Sequence, residues 1–295
     1  MITLQELPGF EYEKFASYAD LEAHMLNSPA VADSRVTVHD LGVCSDGINH
    51  IWGFSIGGLD KKPVIFMQHQ IHGRHEWRCS HWGFKFFEKM VNGNIPDKAL
   101  LNEVLSKVSF FVIPCLNPYG YENDSYGNAD NVNLNRNYDY KFDEFIDDGS
   151  YYGTTKGAFA FSEPETQVSR DIIQNYKPFM FIDTHTRGGQ ELASIYPGAL
   201  EYNKYQYPMY REIANSLRIM CNLDGIGFLN GTDRPEAHAW GSTNTSKAGI
   251  QTLATTFEVP ELTTEYDMAR IGMSGLWLFT VYATRYYQNR LLRQS

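Results

Sequence analysis

Short apolar runs alternate along the chain with longer amphipathic stretches. Runs rich in β-branched and aromatic residues occur at Arg35 to Leu41, His50 to Ile56, Pro63 to Gln68, Val108 to Pro114, Pro178 to Asp183 and Gln251 to Val259, and each has the length and composition of a strand. Helical patterns fill the intervals, at Tyr18 to Asn27, about Trp77 to Val91, Asp97 to Ser106, Ser162 to Tyr176, Tyr205 to Leu223 and Tyr266 to Leu292, several of them opened by an Asp or Ser cap. The runs PVIFMQ, VSFFVIP and FMFID are nearly all apolar, as central strands covered on two faces would be. The order predicts an α/β fold: a single domain over residues 1–295, built on a mixed, mostly parallel twisted β-sheet with helices on both faces. In such sheets, sites gather where the central strands end.

One stretch breaks the alternation. Residues Asn117 to Phe161 are rich in Asn, Tyr, Gly and Asp, with seven Asn among the 24 residues from Asn117 to Tyr140. Asn tolerates left-handed backbone and bonds its own main chain, so this segment reads as a long ordered loop, a kind that is usually functional.

Composition narrows the partners. No apolar run approaches the length of a membrane span, and 25 Lys and Arg stand against 35 Asp and Glu with no basic block, so neither a membrane nor nucleic acid is expected as a partner. Cys44, Cys79, Cys115 and Cys221 form no C-x-x-C pair and read as buried apolar residues. The segment from Met1 to Gly9 lacks the basic and apolar regions of a secretory leader, which makes a cytoplasmic location the expectation. The residues before Pro63 read as part of the domain, so no activating pro-segment is expected.

Chemistry gathers behind the strand PVIFMQ, where His69, His72, His75 and His81 fall within 13 residues, with Glu76 among them. A zinc site of the H-E-x-x-H type is excluded, because the histidine after His75-Glu76 is His81, which faces elsewhere on a helix. A strand-terminal His with a Glu a few residues on can still chelate one zinc, given a third ligand from elsewhere. His185, in FIDTHTRGG at the end of another buried strand, is the best candidate, since adjacent parallel strands put their ends side by side. Glu258, in TFEVP, places a carboxylate inside an apolar strand, which is costly unless it is paired or functional.

Six motifs in order carry a resemblance. They are Ile71-His72-Gly-Arg-His-Glu76-Trp77, Leu116-Asn-Pro-Tyr-Gly-Tyr, Asn133-Leu-Asn135-Arg136-Asn137, Phe161-Ser-Glu-Pro-Glu165-Thr, Asp183-Thr-His185 and Thr256-Phe-Glu258. On these, roughly from Tyr18 to Glu258, the chain resembles zinc metallocarboxypeptidases of the carboxypeptidase A-like family. The resemblance implies that His72, Glu76 and His185 bind one zinc per chain, and that Glu258 is the base that takes a proton from water and returns it to the leaving amine. It also implies that Asn135 and Arg136 grip the free carboxylate of a peptide or amide substrate, a task suited to the planar fork of Arg.

The chain departs from the family pattern in three places. Three residues instead of two separate His72 from Glu76, so either the turn bulges or His75 takes the place of the carboxylate. The loop upstream of Asn135-Arg136 has no Arg or Lys after Cys115, although the family carries there an Arg that stabilises the oxyanion. Losing such a donor costs roughly 3 to 4 kcal/mol of transition-state stabilisation, and Arg187 or Arg74 is the expected substitute. No Tyr lies between Tyr210 and Tyr266, where the family has a mobile one; His238 or Trp240 would cap the substrate instead. The specificity segment near Ser242 to Thr245 carries no acid, which argues against a preference for basic C-terminal residues.

The leading expectation is therefore a zinc-dependent metallocarboxypeptidase. Its alternatives are a zinc amidohydrolase or peptidase acting on a non-standard amide, such as a peptidoglycan stem or an acylated amino acid, and a catalytically inactive module that holds peptide termini.

Overall fold

Strands β3 (Val64–His69) and β4 (Ser109–Ile113) are buried along their whole length, which is why neither shows polar alternation in sequence. They lie inside a sheet whose other strands are β1 (Val36–Val43), β2 (His50–Ile56), β5 (Met180–Arg187), β6 (Ser194–Pro197), β7 (Gly227–Phe228) and β8 (Leu253–Pro260). The helices are α1 (Tyr18–Leu26), α2 (Trp77–Asn92), α3 (Lys98–Lys107), α4 (Pro118–Asn123), α5 (Pro164–Tyr176), α6 (Leu200–Asn203), α7 (Tyr207–Met220), α8 (Ala237–Gly241) and α9 (Glu265–Leu292). This computed structural model describes residues 13–293 apart from 96, 150–151, 189–191, 204, 229–231 and 262–263, together with the side chains of 75, 200 and 203. The segment from Met1 to Gly9, read above for a leader, lies outside the described residues.

Across the sheet the strands run in the order β1-β2-β4-β3-β5-β8-β6-β7. The central β4, β3, β5 and β8 are mutually parallel, and β1, β2 and β6 join through antiparallel pairings. The expected mixed α/β sheet is thus present. Two strands have no counterpart in the sequence pattern, β6 and β7, because four and two residues are too few to show a period.

Side chains alternate between two cores. Ile65 and Met67 of β3, Met180 and Ile182 of β5, and Leu253, Phe257 and Val259 of β8 pack with α1, α2, α3, α7 and α9. Val64, Phe66, Phe181 and Ala254 point the other way, beneath α5, α8 and the aromatic residues Tyr138, Tyr140 and Phe161. Because successive strand residues face opposite sides, this second face continues through Asp183, His185 and Arg187 on β5 and through Thr256 and Glu258 on β8. The carboxyl ends of the parallel strands therefore bring chemistry to one side of the sheet.

The Asn-rich segment is a loop, as its composition predicts, interrupted by α4 and by a 3-10 turn at Leu134–Arg136. Asparagine side chains stand in for a backbone ladder. Asn117 caps α4 by accepting from the Gly120 amide at 2.8 Å, and Asn128 accepts from Val132 N at 2.9 Å. Asn137 donates to Lys156 O, Phe159 O and Ser162 Oγ, tying the two ends of the loop together. The four cysteines are buried and unpaired. Among the described residues no helix is long and apolar enough to cross a membrane.

Candidate metal centre and active site

The extra residue between His72 and Glu76 is absorbed by the backbone. Arg74 adopts a left-handed φ of 53°, and the preceding Gly73 sits where any Cβ would collide with the carbonyls of Ser125 and Gly120. The turn then closes into a 3-10 segment, Arg74–Glu76, that leads into α2. This bulge returns Glu76 to His72: Glu76 Oε1 lies 3.0 Å from His72 Nδ1, and Oε2 accepts from the His72 amide at 3.1 Å. The bulged turn, one of the two alternatives left by the sequence, is present. The side chain of His75 lies outside the described residues.

His185 completes the group from β5, with Nδ1 also 3.0 Å from Glu76 Oε1. The donor atoms of His72, Glu76 and His185 all lie within 4.8 Å of one another, and the three side chains are buried. Each imidazole is held through its other nitrogen, His72 Nε2 at 3.0 Å from Asn133 Oδ1 and His185 Nε2 at 2.8 Å from Asp183 Oδ2. Acceptors at Nε2 fix the tautomer that leaves the Nδ1 lone pairs pointing at a shared centre, which is the arrangement zinc-binding histidines adopt. Two imidazoles and one carboxylate are also the donor set of an open catalytic zinc site. The residues present fit the metal.

Glu76 and His185 shift each other's proton affinity. Burial opposes charge on both partners, yet His185 and His72 draw the Glu76 carboxyl down to about 2. Burial likewise opposes the His185 imidazolium, and the Glu76 and Asp183 carboxylates outweigh it, raising its pKa well above the ordinary histidine range.

The group opens into a cavity of 540 Å³. Arg74, Asn135, Arg136, Arg187, His238 and Glu258 all line it together with His72, Glu76 and His185. Glu258 stands on β8 directly opposite His185 of β5. Burial pushes its carboxyl up to about 7, with Glu76 adding to the effect and His185 and Arg187 opposing it. Asn135 Oδ1 accepts from Ala237 N at 2.9 Å, and Arg136 Nη1 donates to the Asn135 carbonyl at 2.7 Å. His238 Nδ1 lies 2.8 Å from Thr256 Oγ1, and burial lowers its pKa, favouring the neutral ring. Trp240 packs in the core against Tyr138 and Phe161, so His238 is the one of the pair that reaches the site.

The family model described as zinc carboxypeptidase matches residues 23–270. The chain belongs to the zinc carboxypeptidase family. Carboxypeptidase B of Astacus astacus is 26% identical over 183 residues, which cover 56% of this chain and 58% of that one. The match thus spans less than two thirds of that relative's own length. Among solved structures, thrombin activatable fibrinolysis inhibitor superposes with a TM-score of 0.76 at 14% identity, covering 95% of this chain and 79% of that one. Carboxypeptidase A from Helicoverpa armigera gives 0.72 at 20% identity, covering 93% and 75%. At such identities the superpositions show a shared fold.

Sequence reading of this member of the zinc carboxypeptidase family missed several pocket residues. Tyr126 stacks on the His72 ring at 4.1 Å, and Tyr152 packs on Tyr126 and beneath the Arg74 guanidinium. Glu236 brings to the pocket the acid that the segment near Ser242 to Thr245 lacks, but it is engaged by Arg136 at 3.0 Å. Tyr196 enters from β6. Asp183 alone had a local signal, since it lies two residues before His185 and so on the same face of the strand.

Asp183 is in turn held by Gln68 Nε2 at 3.0 Å, and Gln68 Oε1 accepts from Ser169 Oγ. Replacing Asp183 by Asn keeps the shape but removes the charge behind His185. Zinc affinity, measured by competition with a chelator, is expected to fall about 10- to 100-fold; an unchanged affinity would show that Asp183 is only packing.

Proposed function

We propose that the protein is a zinc-dependent carboxypeptidase that hydrolyses the C-terminal bond of a peptide with a free carboxylate, using one zinc per chain held by His72, Glu76 and His185. The observation that carries this reading is the convergence in one cavity of the ligand group, the Glu258 carboxylate and the Asn135-Arg136 pair. When bound, zinc supplies a Lewis acid for the scissile carbonyl and makes water nucleophilic at neutral pH.

Glu258 takes the proton from the attacking water and returns it to the leaving amine. Burial, which favours the protonated carboxyl, suits it to hold the proton between the two transfers. Asn135 and Arg136 orient the substrate through its terminal carboxylate, Arg136 being held for this by the Asn135 carbonyl and by Glu236. His238, with Thr256 behind it, bounds the space for the terminal side chain. Arg187 serves as the oxyanion donor, because it lies two residues beyond His185 on the same face and acts electrostatically on Glu258. Arg74, its guanidinium 4.4 Å from the centre of the exposed Tyr152 ring, borders the entrance.

Neither an amidohydrolase for non-standard amides nor an inactive binding module is favoured by the family match or by a base assembled beside its ligands. The test is hydrolysis of matched peptides ending in a free carboxylate or in an amide. A charged hydrogen-bonded contact is worth about 1.5 to 3 kcal/mol, so free acids are expected to react about 10- to 100-fold faster, and Arg136→Ala should erase that preference mainly through KM. Equal rates on the two series would sink the carboxypeptidase reading.

A further inference from the structure

Strand β8 carries Glu258 and is paired on one side with β5 and on the other with β6. Arg187 ends β5 level with Pro260 of β8, and Tyr196 of β6 is level with Thr256, so two strand spacings sideways, roughly 10 Å, and four residues along β8 separate their backbones. Even so, Arg187 Nη1 donates a hydrogen bond to the phenol oxygen of Tyr196. The two side chains must therefore meet over β8. They do so on the pocket face, because Tyr196 is the register partner of Thr256, and Arg187, Tyr196, Thr256 and Glu258 all line the same cavity.

We propose that Tyr196 is the positioning residue that holds Arg187 across β8, with its guanidinium over Glu258, where the oxyanion of the tetrahedral state forms. This rests on the reading of Arg187 as the oxyanion donor.

Three observations give the bridge its purpose. First, Arg187 is exposed and ends its strand, and an unrestrained Arg carries about 2 kcal/mol of rotamer entropy, whereas an oxyanion donor works only if it is already in place. The backbone there is fixed, since the Glu261 amide donates to the Arg187 carbonyl at 3.2 Å, and only the side chain needs a second anchor. Second, the anchor is neutral. Arg136 is oriented by a carboxylate, Glu236, which offsets its charge, but a phenol accepts from Arg187 and leaves the full positive charge for a developing anion. Third, burial and the charge of Glu258 raise the pKa of Tyr196, which keeps the hydroxyl protonated and neutral throughout the working range.

The decisive variant is Tyr196→Phe, which keeps the ring and removes the acceptor. With one zinc still bound, kcat on a blocked dipeptide bearing a free carboxylate is expected to fall about 10- to 100-fold with KM nearly unchanged, as for a weakened oxyanion donor. Affinity for a phosphonate peptide that mimics the tetrahedral state should fall by the same factor as kcat/KM, while affinity for the ground-state product stays put. Added to Arg187→Ala, the Tyr196→Phe change should cost nothing further. Wild-type kcat in Tyr196→Phe alongside an impaired Arg187→Ala would overturn the proposal, and so would additive losses in the double variant. Wild-type turnover in Arg187→Ala itself would remove the reading on which the proposal stands.

Discussion

Glu76→Ala is expected to give a folded protein that retains no zinc after dialysis and has no peptidase activity. Glu76 Oε1 is the atom on which both imidazoles converge, so loss of the carboxylate takes away one of three ligands and the only anionic one. It also leaves His185 buried with Asp183 as its remaining carboxylate partner. Breaking a buried ion pair typically costs about 3 to 5 kcal/mol, so a thermal melt belongs beside the elemental analysis. His75→Ala is the control, and it should keep its zinc. The opposite pattern, zinc retained in Glu76→Ala and lost in His75→Ala, would reassign the ligand.

Glu258→Gln is expected to separate chemistry from metal binding. The amide has the shape of the acid but cannot accept and return a proton, so kcat should fall by about 10²- to 10⁴-fold while zinc content stays at the wild-type level. The same substitution has a second signature in the metal-free protein. The Glu258 carboxyl is raised from 4.5 to about 7, so the folded state holds its proton more tightly than the unfolded chain. Its contribution to stability is complete below about pH 4.5 and is lost progressively as the pH rises through 7. A shift of that size corresponds to roughly 3 kcal/mol, so metal-free Glu258→Gln should be more stable than wild type at pH 8 and no more stable at pH 4. Denaturation profiles that run parallel at both pH values would show that Glu258 is not held in a protonating environment.

Much of the fold is legible in the sequence for local reasons. The runs PVIFMQ and FMFID are strands because β-branched and aromatic residues fill positions buried on both faces. Ser17 and Asp97 mark true helix starts, each accepting a backbone N–H of its first turn. His72 and Glu76 could be paired by eye because only three residues separate them, and a left-handed Arg74 after a glycine suffices to bring them together. The six motifs name the chemistry at His185, Glu258, Asn135 and Arg136 in the same way, residue by residue.

What the sequence by itself determined, then, is six of the strands and the longer helices, the ligand and base candidates and the family. The tertiary structure decided how these meet. The antiparallel register of β6 on β8 is a long-range pairing between short segments, and no periodicity within four residues announces it; only that register places Tyr196 across Glu258 from Arg187. The ion pair of Arg136 with Glu236 and the choice of His238 over Trp240 likewise depend on how α8 packs beneath the loop, through contacts made some hundred residues apart in the chain. Local propensity acts over a few neighbouring residues, whereas the orientation of a charge in a pocket is set by whichever strands the sheet places side by side.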